Sequence, residues 1–217
     1  MVDVVEAEHT GISVVADEAD VFVLLLHYFV VLKLSLLVII ESPVKERAVI
    51  YIRKTAQKYI HIATVLLSAH AVSGYDTVGG YFGIGKGTVI KMLNTGKSIR
   101  PKGDMTACLK EVVKEATKLA SACYGMPYAE EMSITRHTLW AVRVGKSGKT
   151  MQSPASLPPT TEAFYGNMKR ANIQACIWKH AFDAHPPDLD PCDYGWQKDE
   201  VSDTHYNSIK FCFSSTQ

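Results

Sequence analysis

The chain has 217 residues, enough for one domain with an appendage or two small ones, and long enough to bury a core without disulfide or metal staples. Hydrophobic residues make up 47% and charged residues 21%, which excludes a wholly disordered, collagenous or coiled-coil protein. Lys+Arg 23 against Asp+Glu 22 leaves +1, so no global field draws the chain to nucleic acid or anionic lipid, and any electrostatic argument must be local.

Gly11–Val15 (GISVV) reads as a short β-branched strand, followed by an acidic turn, Asp17, Glu18 and Asp20. Val21 to Ile40 is then apolar except for His27, Lys33 and Ser35. As a soluble segment it divides into a buried strand, Val21–Leu26, and an apolar helix, Tyr28–Ile40. On length alone it also qualifies as a single membrane span, in which the many Val, Leu and Ile could outweigh Lys33, an alternative that the acids at its start and the absence of a flanking basic cluster weigh against. Ala48–Ile52 reads as another strand, and Thr55–Val72 as a helix closed by Ser73-Gly74. Strand, helix and strand alternating at these lengths indicate an α/β fold with a parallel sheet flanked by helices.

A glycine-rich stretch, Gly79 to Gly87, leads into a helix at Thr88–Leu93. Asp104–Tyr124 has the period of an amphipathic helix, with Leu109, Val112, Ala116, Leu119 and Cys123 on one face, and Gly125 and Pro127 end it. The second part, 126–217, is expected to be mainly helical: a segment at Glu130–Val144, a loop at Gly145–Pro159, a helix over about 161–182, then an extended or disordered tail from Ala184. The expected organisation is thus a core over 1–125 and an appendage over 126–217.

Five scattered cysteines (108, 123, 176, 192 and 212), with no C-x-x-C, suit reduced thiols in an intracellular protein, and acids near Met1 do not suit a signal peptide. His180, His185, Cys192 and Cys212 have no zinc-finger spacing. Two P-loop look-alikes fail: Gly145 to Thr150 has Arg143 where the first glycine belongs, and Gly80 to Lys86 is followed by Gly87, which has no hydroxyl. His70 reads as a buried or capping histidine rather than a catalytic base.

Two constellations carry chemistry. In the first, Gly83 and Gly85 permit a tight turn that leaves amides exposed at the next helix start, an environment for an anion such as a nucleic-acid phosphate, with Ile84 as an apolar plug. From Thr77 to Gly103 there are Lys86, Lys91, Lys97, Arg100 and Lys102 and no acid, a local +5. This is the footprint of backbone contact without base readout. In the second, Asp17, Glu18 and Asp20 follow a strand, at the sheet edge where α/β folds place their sites, and Asp76 precedes the glycine turn. Converging carboxylates are hard oxygen ligands for Mg²⁺ or Mn²⁺.

Together, the acidic turn ending in Asp20, the His70-Ala-Val-Ser-Gly-Tyr-Asp-Thr77 and Phe82-Gly-Ile-Gly-Lys-Gly-Thr88 stretches, Leu157-Pro-Pro-Thr160 and Arg170 to Trp178 resemble the carboxyl-terminal half of the PIN-like nuclease core. The branch is that of the flap endonucleases, and the likeness is greatest to uncharacterised animal proteins of that branch. It covers most of Gly11 to Trp196. It implies a helix-hairpin-helix element at 74–94, with Gly83, Gly85, Lys86 and Lys91 on nucleic acid, DNA above all. It implies metal-binding and catalytic roles for Glu18, Asp20 and Asp76, with Asp20 beside Asp76. The family's first-half carboxylates have no counterpart here, so the implied function is a backbone-binding protein of nuclease ancestry, incomplete or decayed as a Mg²⁺-dependent, structure-specific nuclease. Its alternative is a non-catalytic DNA-binding module. The resemblance implies an intracellular protein, nuclear if DNA is the partner, without a small-molecule cofactor.

Overall fold

The computed structural model describes residues 11–44, 46–74, 79–96, 108–147, 153–198 and 206–208. The chain is mixed α/β and divides into two compact units, Met1–Leu67 and Ser68–Gln217.

In the first unit, β1 (Gly11–Val15) pairs in parallel with β2 (Leu37–Glu41), in register Gly11 to Leu37 through Val15 to Glu41. The connection between them is α1 (Ala19–Val31). A short β3 (Ile50–Tyr51) pairs antiparallel to β2, and α2 (Ile52–Lys58) follows it directly. The sheet order is β1-β2-β3, so the sheet is mixed rather than all parallel. The reason is the connection: only eight residues separate β2 from β3, the described ones among them hold no helix, and a parallel pairing needs a crossover of about a dozen residues or more. Packing of α2 on both α1 and β2 gathers a core containing Val23, Leu26, Val38, Ile40, Ile52 and Ala56.

The apolar run Val21–Ile40 has the expected two pieces in the opposite order. Val21–Leu26 is helical, not a strand, and Leu37–Ile40 is strand, not helix. Asp20 lies in the first turn of α1, where a carboxylate complements the positive end of the helix dipole. Asp17 and Glu18 thus follow β1 as expected, with Glu18 as the N-cap of α1, and only Asp20 lies inside the helix. The far end closes without glycine. Leu34 N–H donates to the Phe29 carbonyl at 3.0 Å and Lys33 N–H to that of Val30 at 3.2 Å, the paired bonds of a Schellman closure. Lys33 takes the left-handed conformation this requires, φ 51°. A non-glycine residue there is strained by about 1–2 kcal/mol. Among the described residues no helix is long and apolar enough to cross a membrane.

The division between the units falls inside α3 (Ile60–Val72), so the expected Thr55–Val72 helix is two helices, interrupted at Tyr59, whose ψ of 22° ends the first. Gly74, with φ 98°, follows α3 as expected.

The second unit is mainly helical: α4 (Lys86–Asn94), α5 (Leu109–Cys123), α6 (Met132–Ser147) and α7 (Thr161–Lys179). α5 carries Val112, Ala116, Leu119 and Ala120 on its buried face and packs against α4, α6 and α7. Its junction with α6 includes a polar pair at the core, Ser121 Oγ to Thr135 Oγ1 at 2.8 Å, both residues fully buried. α7 buries Phe164, Met168, Ala171 and Ala175, the periodicity expected of it, and Thr160 caps it by accepting from the Ala163 N–H at 3.3 Å. α6 runs on through Gly145 to Ser147, positions expected to be loop.

The described residues after Ala184 hold more regular structure than the prolines there suggest. A single 3₁₀ turn, Pro191–Tyr194, leads through Gly195 (φ 84°) into β4 (Trp196–Lys198), which pairs antiparallel with β5 (Tyr206–Ser208). Long α7 side chains fasten this segment: Lys169 Nζ donates to the Asp193 carbonyl at 2.9 Å and Arg170 Nη1 to that of Gly195 at 3.2 Å. Proline patterning reports the lack of regular backbone donors, not the lack of side-chain anchors.

Candidate nucleic-acid interface and acidic edge

The glycine turn begins at Tyr81, buried, and closes on itself through the Ile84 N–H donating to the Tyr81 carbonyl at 3.0 Å. Gly83 takes φ 74°, which an L side chain would adopt only under strain, although the space around it is open. Gly85 is the N-cap of α4 in extended backbone, φ −91° and ψ 167°, so no side chain caps the helix. Its carbonyl already accepts from the Thr88 and Val89 N–H groups at 2.9 and 3.3 Å. The N–H groups of Lys86 and Gly87, at the head of the helix, have no acceptor among the described residues. There is no acid in that first turn, and Gly83, Gly85, Lys86 and Lys91 are all exposed. Lys97, Arg100 and Lys102, the rest of the basic run, lie outside the described residues.

Two aromatic residues hold the turn from behind. The Tyr81 ring packs against Phe164 of α7, centroids 5.8 Å apart, while the Tyr124 hydroxyl at the end of α5 donates to the Phe82 carbonyl at 3.3 Å. Burial raises the Tyr124 phenol to about 12, partly opposed by the positive charge of Arg143, and burial raises the adjacent Cys123 thiol to about 11. Both groups are therefore neutral at physiological pH, and Tyr124 remains a donor. These supports were not legible in the sequence, because nothing in the spacing of Tyr81, Tyr124 and Phe164 says that they meet.

His70 is buried as expected, its ring stacked on Trp178 at 5.7 Å.

The acidic edge belongs to the first unit. Asp17 and Glu18 follow β1 at the carboxyl end of its parallel pairing with β2 and line a cavity of about 260 Å³ with Phe22, Ile40, Ser42 and Arg47. This is the sheet edge expected of them, and the end at which open α/β sheets hold ligands. Arg47 Nη1 lies 3.0 Å from Asp17 Oδ1, an exposed ion pair. A further carboxylate, Glu41, ends β2 on the same edge and accepts from the Ser13 hydroxyl at 2.8 Å. Neither Arg47 nor Glu41 stands out in the sequence: Arg47 is in a mixed-charge turn, and Glu41 reads as the polar end of an apolar run.

Asp20 is set back in the first turn of α1, and Asp76 lies outside the described residues. Among the described residues no three His, Cys, Asp or Glu side chains form a metal-binding group. With Asp17 engaged by Arg47 and Glu41 by Ser13, the described acids do not by themselves make the carboxylate cluster that Mg²⁺ would need. Compared with protein-family models, with curated proteins and with solved structures, the chain matches none.

Proposed function

We propose that the chain binds nucleic-acid backbone through the turn at Tyr81–Ile84 and the start of α4, used as the second half of a helix-hairpin-helix element. The observation that carries this reading is the uncapped helix head. Two N–H groups, of Lys86 and Gly87, have no acceptor among the described residues, behind a glycine N-cap and beside the Lys86 ammonium. Aligned peptide dipoles and free amides favour an anion there, and the lysine adds a full charge without base readout. Anchoring by Phe164 and Tyr124 holds the amides in place before a ligand arrives. The likeness of this stretch to the flap-endonuclease branch of PIN-like proteins supports the same reading, with DNA as the partner and a nuclear, intracellular site of action.

The test is fluorescence anisotropy with labelled duplex and hairpin DNA between about 50 and about 200 mM salt. Affinity should fall steeply with salt and vary little with sequence. Lys86→Glu should weaken binding about tenfold and reduce the log–log salt slope by at least about 1. Salt-independent binding, or an unchanged slope in Lys86→Glu, would remove the backbone reading.

A second reading, Mg²⁺- or Mn²⁺-dependent phosphodiester hydrolysis using Glu18, Asp20 and Asp76, is favoured by the placing of Asp17 and Glu18 over a cavity at the carboxyl edge of the parallel strands. Flap DNA incubated with either ion should be cut by the wild-type chain and left intact by Glu18→Gln and Asp76→Ala. Cleavage that survives both substitutions would take these acids out of the chemistry.

A further inference from the structure

A cleft of about 610 Å³ lies in the second unit among α6, the Pro154–Ser156 turn and the start of α7. That is the size of a small-molecule pocket. Its wall includes Glu131, Arg136, His137, Trp140, Leu157 and Glu162. The polar groups of that wall are unevenly available. Arg136 donates through Nη1 to the Pro158 carbonyl and through Nη2 to that of Pro154, so its guanidinium serves as a strut of the wall. The Thr160 hydroxyl is committed to capping α7, the Thr161 oxygen accepts from the Ser133 N–H at 3.1 Å, and the Ser133 hydroxyl donates to Glu131 Oε2 at 3.0 Å.

Among the described residues, Glu131 Oε1 and the Glu162 carboxylate have no hydrogen-bond or ion-pair partner, and beside them lies the ring of Trp140, 44% exposed and 6.0 Å from that of His137. The two carboxylates outnumber the one guanidinium. An anion would meet two carboxylates and one guanidinium, two of whose five N–H donors are spent on the wall. A cation would meet carboxylate charge and the negative face of an indole, the best of the aromatic partners for it.

We propose that this cleft binds a small organic ammonium ion, held by charge from Glu131 and Glu162 and by cation–π contact with Trp140. It is a site separate from the glycine turn and does not depend on nucleic-acid binding.

The test is isothermal titration calorimetry of the whole chain with choline and with 3,3-dimethylbutan-1-ol, its uncharged carbon isostere. Choline should bind saturably, with Kd at or below the order of 1 mM, and the isostere at least about tenfold more weakly. Trp140→Leu, and the double change Glu131→Gln with Glu162→Gln, should each weaken choline about tenfold or more. All these side chains are exposed, so circular dichroism and Tm should stay at the wild-type value. Equal binding of the isostere, wild-type choline affinity in the double variant, or no saturation by about 10 mM would each overturn the assignment. Tighter binding of inorganic phosphate than of choline, lost in the double variant or not, would do the same, because it would make Arg136 rather than the carboxylates the recognising group.

Discussion

Phe164→Ala is expected to destabilise the chain by about 3–5 kcal/mol, a large part of the roughly 5–15 kcal/mol that holds a domain folded. Phe164 is 1% exposed, one of the largest fully buried side chains, and it sits near the start of α7, where Thr160 caps the helix. Truncation removes the burial of the ring and leaves a void that a close-packed helical core only partly closes. The same ring is the floor beneath Tyr81, so the damage reaches the glycine turn. Urea unfolding should show a lower midpoint with an unchanged m-value, and DNA affinity measured well below the new midpoint should fall too. A stability loss below about 1 kcal/mol would mean that Phe164 is not the core residue described.

Tyr81→Phe should do the opposite. The Tyr81 hydroxyl is buried and finds no hydrogen-bond partner among the described residues, and leaving such a group unsatisfied costs about 1–3 kcal/mol. Removing the oxygen keeps the ring on Phe164 and should stabilise the chain by about 1–2 kcal/mol. Burial, reinforced by the neighbouring Tyr124 and opposed by Arg170, pushes the Tyr81 phenol far above its ordinary value of 10.0. The fold thus favours the neutral phenol. That stabilisation is complete below about pH 10, where the unfolded chain's tyrosine is also neutral, and is lost as pH climbs above it. Tm measured between about pH 8 and about pH 11 should therefore drop less in Tyr81→Phe than in wild type. A residual drop should remain, since Cys123 and Tyr124 are raised to about 11 and about 12 and lose their own contributions over the windows above pH 9.0 and 10.0. An equal alkaline drop in both proteins, or a variant less stable at neutral pH, would show that the hydroxyl has a partner.

What the sequence made legible follows from how local each signal is. β1 is bounded to the residue, because a β-branched run beside an acidic turn has few other outcomes. α5 and α7 declare themselves through apolar residues every three or four positions, and Gly83 and Gly85 through a turn that needs a positive φ or an uncapped helix head. The apolar run Val21–Ile40 defeats such reading. Both of its elements are apolar and it has no Gly or Pro to divide it. The division is made by Lys33 in a glycine's conformation, which only the backbone reveals. The acids before it carry two meanings at once, since a carboxylate suits both a helix start and a strand-edge site. Mixed strand direction, the Arg47–Asp17 pair, the aromatic supports of the turn and the Trp140 cleft all depend on residues distant in sequence, and no periodicity encodes them.

Arg136 grips the Pro154 and Pro158 carbonyls, and Arg143 Nη1 grips that of Ser156 at 2.6 Å, so the proline-rich strap ahead of α7 hangs on two guanidinium groups bonded to peptide oxygens. A guanidinium keeps its proton at any pH a folded protein meets, and a peptide oxygen does not titrate at all. Alkali that ionises phenols elsewhere thus leaves this buckle fastened. One wall of the cleft is thus fastened without any acidic side chain.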